Sequence, residues 1–145
     1  MEIDAPEVPP GFEPIGSLRS SPFLDRVGPF FVRRDGRALV LGVRVDEAHT
    51  NARGRAHGGV LLTMADVALG YQLAFMEDPP ARLTTVSMSA DFAGAARRGD
   101  WVEARVEVQR LGARMAFANA YLSTGTERIA RVSGVFLRDA APRPA

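Results

Sequence analysis

Two periods of apolar residues organise the chain. Between Arg37 and Asp46 they fall on alternate positions, at Leu39, Leu41, Val43 and Val45, which is the period of a strand with one face buried. Phe30 to Arg34 is also extended, and Asp35-Gly36 between the two stretches signals a hairpin. From Gly58 to Met76 the period changes to that of a helix, and apolar side chains occupy almost every direction around it until Pro79-Pro80 stops it. Four alternating stretches follow: Leu83 to Phe92, Trp101 to Arg110, Arg114 to Ser123 and Glu127 to Arg138, separated by Gly94 and Gly99, Gly112 and Gly125. They predict an antiparallel meander with one core face. In its first strand Thr84, Val86, Met88, Ala90 and Phe92 face one way, and Thr85, Ser87, Ser89 and Asp91 the other. In the second, Val102, Ala104, Val106 and Val108 oppose Glu103, Arg105, Glu107 and Gln109.

Shorter signals complete the outline. Ser21-Pro22-Phe23-Leu24-Asp25-Arg26-Val27-Gly28 predicts a brief helix with Ser21 as N-cap, Pro22 at the first helical position and Gly28 at the end. Residues 1–21 carry four prolines and form a flexible proline-rich N-terminal arm; residues 22–138 form one domain, and residues 139–145 a flexible tail. Strand, strand, long helix and then four strands define an α+β fold in which a curled antiparallel sheet wraps one helix. A sheet covers only one side of a cylinder, so the apolar surface left on the helix calls for loops or a second molecule, and a homodimer is expected.

Composition narrows the function. The 145 residues suit a single core, and 18 basic against 17 acidic residues, with no polybasic stripe, disfavour a nucleic-acid partner. There is no cysteine, which removes disulfides, thiol nucleophiles and thiolate metal sites. All the basic residues are arginine, so Schiff-base chemistry and a P-loop are excluded. The acidic, proline-rich N-terminus has no basic or apolar signal region, and the Ala56–Met76 stretch is interrupted by Asp66, His57, Thr63 and Gln72. No membrane association and a cytoplasmic location are expected.

Asp66 carries the most information, because it is the one charged side chain between Arg55 and Glu77, set in a helix otherwise averse to water. Three residues before it and four after stand Thr63 and Gly70, which leave room for water or a ligand on that face. A structural aspartate hydrogen-bonded to a neighbouring strand is the alternative. Ahead of the helix runs Asn51-Ala52-Arg53-Gly54-Arg55-Ala56-His57-Gly58-Gly59. It leads into a helix N-terminus, where unpaired N–H groups and the positive end of the dipole favour an oxygen that gains negative charge, and where Gly58 and Gly59 allow close approach. Relief of crowding between strand and helix accounts for the two glycines equally well. A metal site of Asp46, Glu47, His49 and His57 matches no usual ligand spacing, and no Gly-x-Ser-x-Gly elbow exists for a serine hydrolase.

The pattern Asn51-x-x-Gly54-x-x-His57-Gly58-Gly59, followed by Asp66 in an apolar helix and by Arg98-Gly99-Asp100 after an alternating strand, resembles the hotdog-fold acyl-coenzyme A thioesterases of the phenylacetate-pathway branch. The resemblance runs from about Pro22 to Leu137. It implies a helix as sausage in a sheet as bun, and active sites shared across a homodimer that can pair again as a dimer of dimers. It implies that Asp66 is the nucleophile or the general base, that the Gly58 N–H of the other subunit polarises the thioester carbonyl, and that Asn51 positions water or the carbonyl. His57 would hold the loop, and Thr85 would supply the assisting hydroxyl that some relatives provide as serine. Gly59 and Thr63 would border the substrate. Arg97, Arg98, Arg110 and Arg114 lie by strand ends or turns where they could meet coenzyme A phosphates, a plain solvated charge being the alternative reading for each. The resemblance implies an acyl-coenzyme A as substrate and no metal or other cofactor. Two further readings of the same fold remain: a dehydratase or hydratase using His57 and Asp66, and an acyl-coenzyme A sensor without turnover.

Overall fold

The computed structural model describes residues 7–139; the outer parts of the arm and tail, residues 1–6 and 140–145, lie outside the described residues. The chain forms strand β1 (Glu13–Pro14), helix α1 (Pro22–Val27), the hairpin β2 (Phe30–Asp35) and β3 (Ala38–Arg44), and helix α2 (Gly58–Ala74). Strands β4 (Leu83–Phe92), β5 (Trp101–Leu111), β6 (Met115–Thr124) and β7 (Glu127–Arg138) follow. All seven strands join one antiparallel sheet in the order β1-β2-β3-β5-β6-β7-β4.

The sheet curls round α2, which packs against β3, β4, β5, β6 and β7. Leu61, Met64, Ala65, Ala68, Leu69, Gln72, Leu73 and Ala74 are its buried residues, all but the last spaced as one helical face. Opposite them β6 offers Ala116, Ala118, Ala120 and Leu122, so that mostly small side chains let the helix settle close to the sheet. At Gly134 on β7 an added Cβ would stand 2.9 Å from Leu69 Cδ1, and the missing side chain is what admits the leucine. Among the described residues no helix is long and apolar enough to cross a membrane.

Two buried polar side chains pin this core. The Gln72 carboxamide accepts a hydrogen bond from Leu39 N–H at 2.7 Å and donates one to the Arg37 carbonyl at 3.1 Å, tying α2 to the hairpin. Buried His49 accepts at Nδ1 from Asp46 N–H, and its Nε2–H donates to the carbonyls of Val27 and Gly28, tying the end of α1 to the loop before α2. Ser21 caps α1 by accepting from Leu24 N–H.

Several details depart from the sequence pattern. The hairpin turn is Gly36-Arg37, one residue later than expected, with Asp35 paired to Ala38 and Gly36 at φ +63°. The meander holds only for β5, β6 and β7. Strand β4 pairs with β7 alone, because β3 already fills the other edge of β5 and α2 carries the chain across to the far side of the sheet. Within the proline-rich arm, Glu13–Pro14 pairs with β2, Ile15 is buried, and Phe12 packs edge-on against Trp101.

The largest departure lies in β4. A bulge between Thr85 and Ser87 inserts Val86 as an extra residue, so Thr85 pairs with Phe136 and Met88 with Gly134, all facing the helix, while Ser87 pairs with outward Val135. Val86 is 56% exposed and does not join the core face expected for it. One extra residue in a ladder of period two reverses the facing of everything before it. Thr85 is thereby aimed at α2.

Candidate active site

Asp66 lies on the face of α2 that the sheet leaves open and is half-buried there, among half-buried Leu62, Thr63, Val67 and Tyr71. Its Oδ1 accepts a hydrogen bond from the Thr85 hydroxyl at 2.7 Å. This contact joins the two side chains that the sequence had placed on separate elements, and the β4 bulge makes it possible. Oδ2 has no hydrogen-bond partner among the described residues. The carboxylate is held in one orientation with an oxygen left over.

Two clefts meet at Asp66. One, of about 400 Å³, runs toward the start of α2 past Thr63, Gly59, Leu62 and Met88, with Phe23 of α1 on its far wall. It shares Phe23, Gly59 and Thr63 with a neighbouring cleft that reaches His57, His49 and Arg26. The other, of about 180 Å³, runs toward the end of α2 between Gly70, Tyr71, Thr85 and Phe136 and reaches Arg19. Burial pushes the Tyr71 hydroxyl above its ordinary value of 10.0, and the nearby Arg19 charge draws it partly back.

The N-terminus of α2 is built by its cap. His57 has extended backbone, and its Nδ1 accepts from Gly59 N–H at 2.9 Å, which fixes a lone pair on Nδ1 and leaves Nε2 as the proton carrier of the neutral ring. A Cβ at position 59 would press on that nitrogen at 3.1 Å, which accounts for glycine there. The N–H groups of Val60 and Leu61 reach the His57 carbonyl, whereas Gly58 N–H donates to no other described residue. One backbone donor is therefore available at the helix start. It is eight residues from Asp66 on the same helix, about 12 Å along the axis at about 1.5 Å per residue.

The remaining expected residues fall in two places. Asn51 Oδ1 accepts from Arg53 N–H and Arg55 N–H and so shapes its own loop; Thr63 donates to the Gly59 carbonyl. An isolated bridge between Arg55 and Arg97 sets that loop beside the turn at residues 97–100, where Arg97 N–H donates to Asp100. Arg97 and Arg98 are exposed beside Arg53 and Arg55, two arginines that sequence reasoning passed over although their loop was already singled out. Arg110 and Arg114 sit at the other end of β5, beside the Arg138–Glu77 ion pair. The structure does not bring them to the first group. Of the residues weighed for a metal, His49 has both nitrogens committed to the backbone, and Asp46 caps the short helical turn Glu47–His49.

A long helix held in a curled antiparallel sheet, with a carboxylate on its open face and a free donor at its start, is the hotdog arrangement. The chain belongs to the thioesterase superfamily, whose family model matches residues 53–130. It is 53% identical over 130 residues, 89% of this chain and 96% of the other, to the Pseudomonas aeruginosa protein named "Putative esterase PA0474". Among solved structures it is similar to zebrafish thioesterase superfamily member 2, with 25% identity, a TM-score of 0.76 and coverage of 85% of this chain and 91% of that one. It also shares the fold of a mutant form of the phenylacetic acid degradation protein PaaI from Thermus thermophilus, with 24% identity, a TM-score of 0.73 and coverage of 82% and 100%. A Streptococcus pneumoniae hypothetical thioesterase, solved with coenzyme A, has the same fold at 18% identity and a TM-score of 0.69, with 77% and 89% covered. Thioester hydrolysis is the general activity that this membership supports.

Proposed function

We propose that this chain hydrolyses acyl-coenzyme A thioesters to the free acid and coenzyme A, and that its working unit is a homodimer. The observation that carries the reading is the Thr85 hydroxyl holding Asp66 at 2.7 Å on an uncovered helix face. The carboxylate takes a proton from water, whose oxygen attacks the thioester carbon, or it attacks that carbon itself and water releases the acyl group from it. In either route the carbonyl oxygen becomes an oxyanion, and a backbone N–H aimed at it lowers the barrier until the carbon–sulfur bond breaks and the thiolate leaves. Gly58 N–H, at the start of α2, has no acceptor among the described residues and is the donor for this role. Neither route calls for a metal or redox group.

A donor must sit within about 3 Å of the oxyanion, and a separation of about 12 Å along one helix prevents Gly58 and Asp66 of the same chain from meeting on one carbonyl. A second copy with its helix reversed supplies the partner group. Two features support that assembly. The open face of α2 is apolar around Asp66, and β4 presents a ten-residue edge with no strand beside it among the described residues, which a second β4 would pair. Exposed Phe117 and Leu137 on the outer sheet face favour a further pairing of dimers. Arg53, Arg55, Arg97 and Arg98 offer charge to coenzyme A phosphates, and the coenzyme A seen in the Streptococcus pneumoniae structure agrees with that choice of substrate.

Thiol release from phenylacetyl, benzoyl, short-chain and medium-chain coenzyme A esters, read with a thiol-reactive dye, tests the proposal. The chain has no cysteine to consume the dye. Release that collapses in Asp66→Asn, with folding and dimerisation intact, is expected. A folded Asp66→Asn protein of full activity, or a monomer in sedimentation that still turns over substrate, would defeat it.

A further inference from the structure

The smaller cleft at Asp66 has an arginine in its wall. Arg19 lines it together with Asp66, Gly70, Tyr71, Thr85 and Phe136, and no carboxylate pairs with Arg19 among the described residues. The residue is not loosely placed, because Tyr71 O–H donates to the Arg19 carbonyl at 3.0 Å and its guanidinium lies 5.7 Å from the centre of the Phe75 ring. Gly70 lies one turn after Asp66 on α2 and lines the same cleft. Glycine inside a helix costs about 1 kcal/mol relative to alanine, so its presence asks for a reason. Here it removes a side chain from the floor of the cleft, leaving a path along the helix from Asp66 over Gly70 to the level of Tyr71. That path spans five residues, about 7.5 Å at about 1.5 Å per residue.

We propose that this cleft takes the acyl group of the substrate and that Arg19 reads an anionic group at the far end of that acyl group, making short ω-carboxyacyl thioesters the preferred class. The inference rests on the reading of Asp66 as the group that meets the thioester. A thioester carbonyl at Asp66 has two substituents, and only one fits here. The pantetheine arm keeps the coenzyme A phosphates much farther from the sulfur than a cleft of about 180 Å³ allows, so the anion that Arg19 meets belongs to the acyl side. Glutaryl and adipoyl groups have the length to place one carboxylate at Arg19 with the thioester at Asp66, and the neutral pentanoyl and hexanoyl groups are their uncharged counterparts.

The test compares kcat/KM for glutaryl-coenzyme A against pentanoyl-coenzyme A, with enzyme-free controls subtracting spontaneous loss of the glutaryl ester, in wild type, Arg19→Gln and Arg19→Lys. The wild type is expected to favour the glutaryl ester, and Arg19→Gln to lower the glutaryl-to-pentanoyl ratio by about two- to fivefold, an exposed charge pair being worth about that much. Arg19→Lys should restore part of the ratio. Folding is not at stake, because Arg19 is exposed and its carbonyl, which holds Tyr71, survives any substitution. A wild type indifferent to the carboxylate, or an Arg19→Gln ratio equal to that of wild type, overturns the proposal while Asp66-dependent release of both esters leaves the thioesterase reading standing. Absence of Asp66-dependent release from every ester removes both.

Discussion

A backbone donor can be deleted at Gly58 with unusual economy, because proline there removes the N–H and little else. Gly58 is the first residue of α2, where proline's fixed φ suits the helix and where no intrahelical bond uses the N–H. The residue before a proline must be extended, and His57 already has ψ 138°. Gly58 N–H has no acceptor to lose among the described residues, and an added Cβ would lie 3.4 Å from the Phe92 ring, an ordinary contact. Stability should therefore change by less than about 1 kcal/mol. Removal of one oxyanion donor costs about a hundred- to a thousandfold in kcat, about 2.7–4 kcal/mol in the transition state. The assay is thiol release at saturating substrate, with a urea transition recorded on the same protein. Gly58→Ala keeps the N–H and adds the same Cβ, so the comparison of proline with alanine isolates the donor. A folded, dimeric Gly58→Pro protein that turns over at the rate of Gly58→Ala would show that no oxyanion depends on this N–H.

Two other substitutions probe the contacts that build the site. Thr85→Val removes the donor to Asp66 Oδ1 while keeping the shape; kcat should fall about tenfold or more, since hydrogen bonds to charged groups are worth about 1.5–3 kcal/mol, and Thr85→Ser should recover most of it. Equal activity in all three proteins would make the contact incidental. Gln72→Leu leaves Leu39 N–H without its acceptor in the core and Arg37 C=O without its donor at the edge, and should lower unfolding stability by about 2–4 kcal/mol in urea at unchanged m-value. A loss below about 0.5 kcal/mol would mean that both groups find other partners.

The repeating features of the fold were legible because periodicity reports burial directly. The hairpin, the apolar helix and the alternating faces of β5, β6 and β7 each follow from which side chains must leave water. What escaped was set by single residues or by distant pairing. Nothing in Thr84-Thr85-Val86-Ser87 distinguishes a bulge from regular alternation, since the extra residue is defined only by its partners Phe136 and Val135 on β7. Thr85 was nevertheless named from resemblance, on a face that simple alternation would have turned away from Met88. The edge position of β4 escaped for a related reason, because strand order depends on where α2 delivers the chain and not on the strand's own residues. His49 and Gln72 were visible as polar residues, but their partners are main-chain groups that carry no sequence signal. Arg19 gave no signal either, lying in an arm read only for its prolines, and its meaning comes from the cleft that Gly70 opens beneath it.

The same helical geometry that separates Gly58 from Asp66 makes a sharper demand on the assembly. If each site takes its carboxylate from one chain and its donor from the other, then Asp66→Asn and Gly58→Pro homodimers are both disabled, each missing one group at both sites. In a mixed dimer the Asp66 of the Gly58→Pro chain meets the Gly58 N–H of the Asp66→Asn chain, and one complete site forms while the second lacks both groups. Random pairing of equal amounts makes about half the dimers mixed, each with one working site of two, so the mixture should show about a quarter of wild-type activity per chain. A site contained within one chain gives no recovery, because every chain carries one lesion. The measurement is thiol release after the two variants are unfolded and refolded together, against the same proteins refolded apart and then combined. Recovery confined to the co-refolded sample would place the two groups on opposite subunits, and equal residual activity in both samples would leave Gly58 and Asp66 without a shared carbonyl.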